Sequence, residues 1–483
     1  MRVLKSHSLP FTLLLGALVT LASFATDMGL PVLASTASSL HVAPATAALT
    51  MSLFMAGFAF GPLVMGPISD RHGRRPLLLM GCATFSLFGV LGAFAASLPA
   101  LLAWRFFMGV GAGTVQVLVI ATVRDHFTGA EARVQQSYVS TTAGIAPIIA
   151  PTLGVWIATL GGWRAIYGAL AGGGVVLFAL VALYLRDATP RARSASLTAR
   201  GTLANYLRVM RHPVSMGYAV VVALGFGCLF AYVSGSSLVL IGLMGVSQRA
   251  YGALFAATSI GLVGGALGNA WLNRRGVSHT KLIAIGLVVI SAVALVLLGL
   301  AASALLTAPL LITLIVISHI GQSIMRANAM QGALEPMPEI AGVASAVLTG
   351  LQMIVGAASS AIAAALFDGH SAVAMTATMS ICSVGALSVY FGVVRPAQNR
   401  KALPAVAGTG IVRETLANCG DDEHAAVGWA RPPRILSRAV SGELSALAPA
   451  AHRGEPGPRR GAGGLVGDRA AREAAGAAHR SGR

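Results

Sequence analysis

Charge is what this sequence has least of. Only 10% of its 483 residues are Asp, Glu, Lys or Arg, against 55% hydrophobic ones, a balance that excludes an ordinary soluble globular fold. Acids are scarcest: 16, against 34 basic residues. Ahead of Arg395 they reduce to eight, namely Asp27, Asp70, Asp125, Glu131, Asp187, Glu335, Glu339 and Asp368. The four cysteines, Cys82, Cys228, Cys382 and Cys419, have neither pairing nor ligand spacing, so no disulfide framework and no metal site is expected. Three of them fall in apolar runs, where a thiol serves as a small hydrophobe. With no metal cluster, phosphate loop or nucleophile in a catalytic setting, an enzyme is the least expected class, and no cofactor is called for.

What the chain has is apolar length. Windows of about 20 apolar residues, enough to cross a bilayer, occur twelve times. Their limits are near 10–33, 46–67, 77–97, 99–123, 137–160, 163–185, 214–241, 251–272, 281–301, 306–327, 341–367 and 371–394. The positively charged head and apolar run of the first window resemble a secretory signal. Its length and the spans that follow read instead as an uncleaved first helix.

Arginine placement sets an orientation. With the N-terminus inside, the inner loops hold Arg2 and Lys5, then Arg71, Arg74 and Arg75, then Arg124 and Arg133. Arg186, Arg191, Arg193, Arg200, Arg208 and Arg211 follow, and after them Arg274, Arg275 and Lys281. The outer loops hold only Arg164 and Arg249. This bias accounts for the basic balance of the membrane part without nucleic acid and puts both termini in the cytoplasm. The basic stretch 186–213 divides a six-helix half, 1–185, from a second, 214–394. Asp70, Arg71 and Gly73 after span two are echoed by Asn273, Arg274 and Gly276 after span eight, at a constant offset of 203. Two equivalent halves are how many transporters place a site at mid-membrane. The fold expected is therefore all-α integral membrane, twelve transmembrane helices in two pseudo-symmetric halves. Residues 395–483, rich in Ala, Gly, Pro and Arg, read as a disordered cytoplasmic tail without assigned activity.

Seven of the eight acids map to loops or helix ends. Asp27, in "SFATDMGLP", alone falls well inside a span, where a charged carboxylate costs roughly 2.5–3.5 kcal/mol unless it has a partner, a cavity or a proton. Arg105 in span four lies at similar depth, roughly 10 Å below the outer boundary at about 1.5 Å per residue. An ion pair between them is geometrically possible, and a carboxylate held between desolvation and a cation can change protonation as a cavity opens. The alternatives are a satisfied polar residue near a helix end for Asp27 and snorkelling for Arg105. In "GPISDRHGRRPLLL", Asp70 can pair with an arginine or a helix N-terminus, with Gly66 and Gly73 permitting close approach; the plainer reading is a basic turn. Span five carries Pro147 and Pro151, which bend a helix, and Gly144 and Gly154, which admit a neighbour. His319 and Gln352 are polar cavity candidates, with interhelical hydrogen bonding as the alternative.

At these residues the sequence resembles a known family. "GPISDRHGRRPL" resembles the loop signature of the major facilitator superfamily, and "RFFMGVGAG" that of its drug:proton antiporters. "TDMGLP", "APIIAPTLG" followed by "GGWRAIY", and "NAMQGALEPMPEIAGVASAVLTGLQMIVGA" resemble the Bcr/CflA branch, exporters of the bicyclomycin and chloramphenicol resistance type. The likeness covers about residues 8–394. It implies a bacterial inner-membrane exporter, acting as a monomer, that expels drugs in exchange for protons by alternating access, with the proton gradient as energy source. It assigns proton coupling to Asp27 and Arg105 and gating to Gly66, Asp70, Arg71, Gly73, Arg74 and Arg75. The antiporter element falls on Gly144, Pro147, Pro151 and Gly154.

Three positions depart from the branch. Gly29 stands where tyrosine is common, Met108 where glutamine is frequent, and Asn273 where an acid is found. Gly29 and Met108 are therefore added to His319 and Gln352 as candidate substrate-cavity residues. Two other functions stay open: a proton-coupled metabolite transporter, and a membrane scaffold or sensor acting through the tail.

Overall fold

Prolines mark where the chain enters its helices. The computed structural model describes residues 8–185 and 199–398, apart from the side chains of Pro67, Asp70, Arg71, Ala130, Arg133, Ala199, Arg200, Thr202 and Pro338. Pro10, Pro44, Pro99, Pro213 and Pro309 each stand in the first two positions of a helix, where a missing N–H costs nothing and φ is already helical. The helices are α1 (Leu9–Asp27), α2 (Leu33–Ser39), α3 (Pro44–His72), α4 (Arg74–Ala93), α5 (Leu98–His126) and α6 (Gly129–Tyr184). They continue as α7 (Ala199–Arg211), α8 (Pro213–Ser237), α9 (Gln248–Arg274), α10 (His279–Ala302), α11 (Ala308–Leu334), α12 (Ala341–Ala365) and α13 (Val373–Val389). No strand occurs among the described residues.

Among the described residues, eleven segments are long and apolar enough to cross a membrane. One is the 51-residue stretch Val134–Tyr184, which leaves helical geometry at Gly161 and Gly162. That break falls between the expected spans 137–160 and 163–185, so twelve crossings result. The first crossing outruns its expected limit of 33: after Asp27 the chain makes a 3-10 turn, Leu30–Val32, and continues as α2 to Ser39. Apolar side chains such as Leu267 and Ile381 stay about two-thirds exposed or more, as expected where lipid, not water, is the solvent.

Two apolar cores hold the bundle together. One gathers buried residues between Phe11 and Leu185; the other runs from Val214 to Val394 and takes in Leu30, Met51 and Met55. The α3–α5 seam shows how the glycines of "RFFMGVGAG" are used: a Cβ on Gly109 would lie 2.0 Å from the Phe54 carbonyl oxygen. Only backbone fits there. Contacts also join early helices to late ones. Ser52 Oγ of α3 donates to Ser360 Oγ of α12 at 3.1 Å, and Gly252 of α9 lies against Thr152 of α6.

Within the basic stretch between spans six and seven, α7 is amphipathic. It lays Val209 against Met337 and Ala344, and Arg208 pairs with Glu339 at 2.9 Å. In the loop between α12 and α13, Asp368 accepts from the backbone of His370 and Ser371 at 2.9 and 2.8 Å. Those bonds hold its carboxyl below the usual range. Arg2, Lys5, Arg186, Asp187, Arg191, Arg193, Cys419 and the tail from residue 399 lie outside the described residues.

Candidate functional site

The end of α1 and the following 3-10 turn form one wall of a cleft that is partly open to solvent. Thr26, Gly29 and Leu33 meet Thr50 and Met51 of α3, Arg105 of α5, and Trp163 and Tyr167 from the second limb of α6. Arg105 is its cation. Only 4% exposed, it donates from Nε to the Thr50 carbonyl at 3.3 Å. Its guanidinium lies over the rings of Phe54 and Tyr167, 4.5 and 5.7 Å from their centroids. Aromatic faces and a carbonyl thus stand where a counter-ion would, and favourable cation–π attraction offsets part of the desolvation.

Asp27 is equally buried, at 5%, but does not line that cleft. Its carboxylate interacts with the adjacent Thr26 hydroxyl and electrostatically with the Tyr251 phenol of α9; Tyr251 in turn lies 2.8 Å from Ser236 Oγ of α8. No Asp27–Arg105 ion pair forms within 4 Å among the described residues. Equal depth alone does not set the angle around a helix axis, and these side chains leave their helices toward different neighbours. Arg105 serves the cleft; Asp27 faces the junction with the later helices.

The long helix α6 holds that junction in place. A Cβ on Gly154 would stand 2.1 Å from the Met28 carbonyl oxygen, immediately after Asp27. Thr12 of α1 bonds Gln135 of α6 at 2.8 Å. Gly144, by contrast, has open space where a Cβ would go, so its expected role in close packing is not seen. The helix runs on through Pro147 and Pro151, with non-helical dihedrals only at Gly161 and Gly162.

At the far end of α3, Gly73 separates α3 from α4 with φ +92° and ψ 162°, a conformation that side-chain-bearing residues rarely adopt. Arg74 pairs with Asp125, the penultimate residue of α5, at 2.8 Å and also bonds Ser69 Oγ. Arg75 donates to the Ala182 carbonyl at 2.6 Å. Asp70 and Arg71 end α3, and their side chains are outside the description. Gly66 has nothing within 4 Å of a Cβ position, so close approach does not explain it. Asp125→Asn is expected to lower stability by less than about 1 kcal/mol, because half-exposed pairs are screened. Thermal melting of Asp125→Asn, Arg74→Gln and the double variant checks this; a larger coupling would show the pair is a main tie of the fold.

The remaining candidates scatter. Gly29 is on the cleft wall with open space beside it. Met108 is fully buried beneath Arg105, its Sδ 4.0 Å from Nη1, which places it in the core and not on the cleft. Gln352 is buried and donates within its own helix to the Leu348 carbonyl, so neither a cavity position nor an interhelical bond is seen for it among the described residues. His319 lines a second, narrower pocket with Tyr232 and Gln322.

The Major Facilitator Superfamily model matches residues 14–361. The chain is 28% identical over 386 residues to the bicyclomycin resistance protein homolog of Haemophilus influenzae, covering 79% of this chain and 95% of that one. It is 27% identical over 244 residues to the multidrug resistance protein MdtL of Vibrio parahaemolyticus, half of this chain and 61% of the relative. Among solved structures, a bacterial homolog of the human lysosomal transporter Spinster superposes with a TM-score of 0.63 at 15% identity, covering 80% of this chain and 96% of that one. A D-xylose-proton symporter gives 0.62 at 14%, covering 79% and 98%. At these identities the structural likeness is one of fold.

Proposed function

This chain belongs to the Major Facilitator Superfamily of membrane transporters, and from that premise we propose that it exports drugs or related small molecules from the cytoplasm in exchange for protons. The observation that carries the proposal is the burial of Asp27, the one acid well inside a span, where α1 meets α6 and α9. The names of the bicyclomycin-resistance and MdtL relatives support the choice of cargo.

In the proposed cycle, a proton arriving from outside neutralises Asp27. The buried negative charge is removed from the junction with Tyr251, and with it the electrostatic cost of separating or repacking these helices. Arg105 stays in the cleft as a fixed cation, held by Thr50 and two aromatic faces. Release of the proton inside resets the charge. Moving one charge across 100 mV supplies roughly 2.3 kcal/mol. The chain would work as a monomer in a bacterial inner membrane, with both termini cytoplasmic.

Expression in a pump-deficient bacterium tests this together with everted vesicles, into which an exporter accumulates drug when their interior is acidified. Chloramphenicol accumulation that collapses on adding a protonophore is the expected result. Accumulation of no drug, or accumulation indifferent to the gradient, would refute it; gradient-driven movement confined to a sugar or amino acid would favour the metabolite transporter.

A further inference from the structure

One face of α11 carries a row of uncommitted polar groups. His319, Gln322 and Arg326 are spaced i, i+3 and i+7, which stacks them along a single helical face. His319 and Gln322 are 5% and 3% exposed. The Nδ1 of His319 lies 2.9 Å from the Thr258 carbonyl, which leaves Nε2 for the cavity. Neither that Nε2 nor either amide atom of Gln322 has a hydrogen-bond partner among the described residues. Both side chains line that narrow, partly open pocket. Buried polar groups are ordinarily paired, so three orphan atoms facing one space mark a place built to meet polar atoms from elsewhere.

Arg326 extends the row toward the inner end. Its guanidinium carbon lies 5.9 Å from the Phe226 ring of α8, and no carboxylate lies within ion-pairing distance among the described residues. Glu339, beyond the end of the same helix, is taken by Arg208. Phe226 also packs on Gly356 of α12, as does Met55 of α3, so the row faces the seam between early and late helices. Away from their ends, the spans hold three charged residues: Asp27, Arg105 and Arg326. Asp27 and Arg105 are buried, whereas Arg326 is exposed and so open to an approaching anion.

We propose that the His319–Gln322–Arg326 face of α11 is a substrate subsite that binds an oxyanion, a carboxylate above all, with Arg326 meeting the charge and Gln322 and His319 meeting oxygen atoms beside it. The inference deepens the exporter reading and rests on it: the preferred cargo is acidic or neutral and oxygen-rich, and lipophilic cations are disfavoured. Arginine suits the role because its planar guanidinium binds carboxylates in a two-pronged fashion.

The test is equilibrium dialysis of the full-length protein, purified in a neutral detergent, against three probes of one shape. These are 1-naphthaleneacetate, its primary amide, and 1-naphthylmethyl-trimethylammonium. The wild type should bind the carboxylate at least about tenfold more tightly than the ammonium probe, the scale of one charge-assisted hydrogen bond. Arg326→Gln should lose about that factor for the carboxylate and change amide binding by less than about twofold, whereas Arg326→Lys should keep the charge preference. Gln322→Ala should weaken carboxylate and amide alike. Size-exclusion profiles matching the wild type establish that the variants are folded. Equal or tighter binding of the ammonium probe by the wild type would overturn the proposal, as would undiminished carboxylate binding by folded Arg326→Gln. Proton-driven chloramphenicol accumulation in everted vesicles reports on the exporter reading alone, so the two failures are told apart.

Discussion

Asp27→Asn is expected to abolish proton-driven accumulation while leaving the protein folded in the membrane. Asparagine preserves the size of the side chain and removes the only group well inside a span that can pass between charged and neutral forms by losing or gaining a carboxyl proton. No ion pair is lost with the carboxylate among the described residues: the Thr26 hydroxyl donates to the Ser23 carbonyl and the Tyr251 phenol is paired with Ser236. Burying a neutral amide costs less than burying a carboxylate, so expression and melting temperature should not fall. What should fall is the work available. One coupled charge at 100 mV sustains a concentration ratio of roughly fiftyfold for a neutral drug, and in the variant that ratio should approach unity. Everted vesicles loaded by a measured gradient read the ratio directly. A variant that sustains the wild-type ratio would remove Asp27 from the coupling step, and Asp27→Glu, which keeps the carboxyl, should retain part of the activity.

Much of the architecture was legible because lipid imposes a simple demand: about 20 apolar residues per crossing, with arginines left in inner loops. The expected gap between 160 and 163 is where α6 leaves helical geometry, at two glycines that have no side chain to pack. Angular position was not legible. Counting residues from the outer boundary put Asp27 and Arg105 at one depth, yet Arg105 turned to Thr50, Phe54 and Tyr167, and Asp27 toward Tyr251. Tyr251 lies over 220 residues further along the chain, and no local pattern announces such a meeting. Asp125 was passed over as a helix-end acid although it is the partner of Arg74.

Arg326 escaped notice for a different reason. Arginines were read as markers of inner loops, and the spacing His319, Gln322, Arg326 within an apolar span was the signal that could have separated it from them. Likewise α7 was hidden inside a stretch read only for its charge, although Leu203, Val209 and Met210 lie among its basic residues. Charge counts suggested an orientation; they did not distinguish an arginine inside a span from one that marks a loop.

Gly154→Ala is expected to be as damaging as Gly144→Ala is harmless, although both glycines belong to the same antiporter element. At Gly154 the added methyl carbon would sit 2.1 Å from the Met28 carbonyl oxygen, and a backbone atom cannot swing aside as a side-chain tip can. Either α6 moves away from α1, or the turn after Asp27 moves; overpacking of this kind costs about 1–3 kcal/mol or more. The displacement would also reach α9, because Thr152, two residues earlier, is the atom group against which Gly252 packs. One methyl group thus pushes apart the three helices that meet around Asp27. At Gly144 nothing lies within 4 Å of the new carbon, and alanine is the better helix former by roughly 0.5–1 kcal/mol. The expected readings are a lowered melting temperature and lost vesicle transport for Gly154→Ala, against an unchanged or slightly raised melting temperature and near-normal transport for Gly144→Ala. Equal behaviour of the two variants would mean that the contact with Met28 does not hold α6 at the junction, and that the carboxylate's position is set by α9 alone.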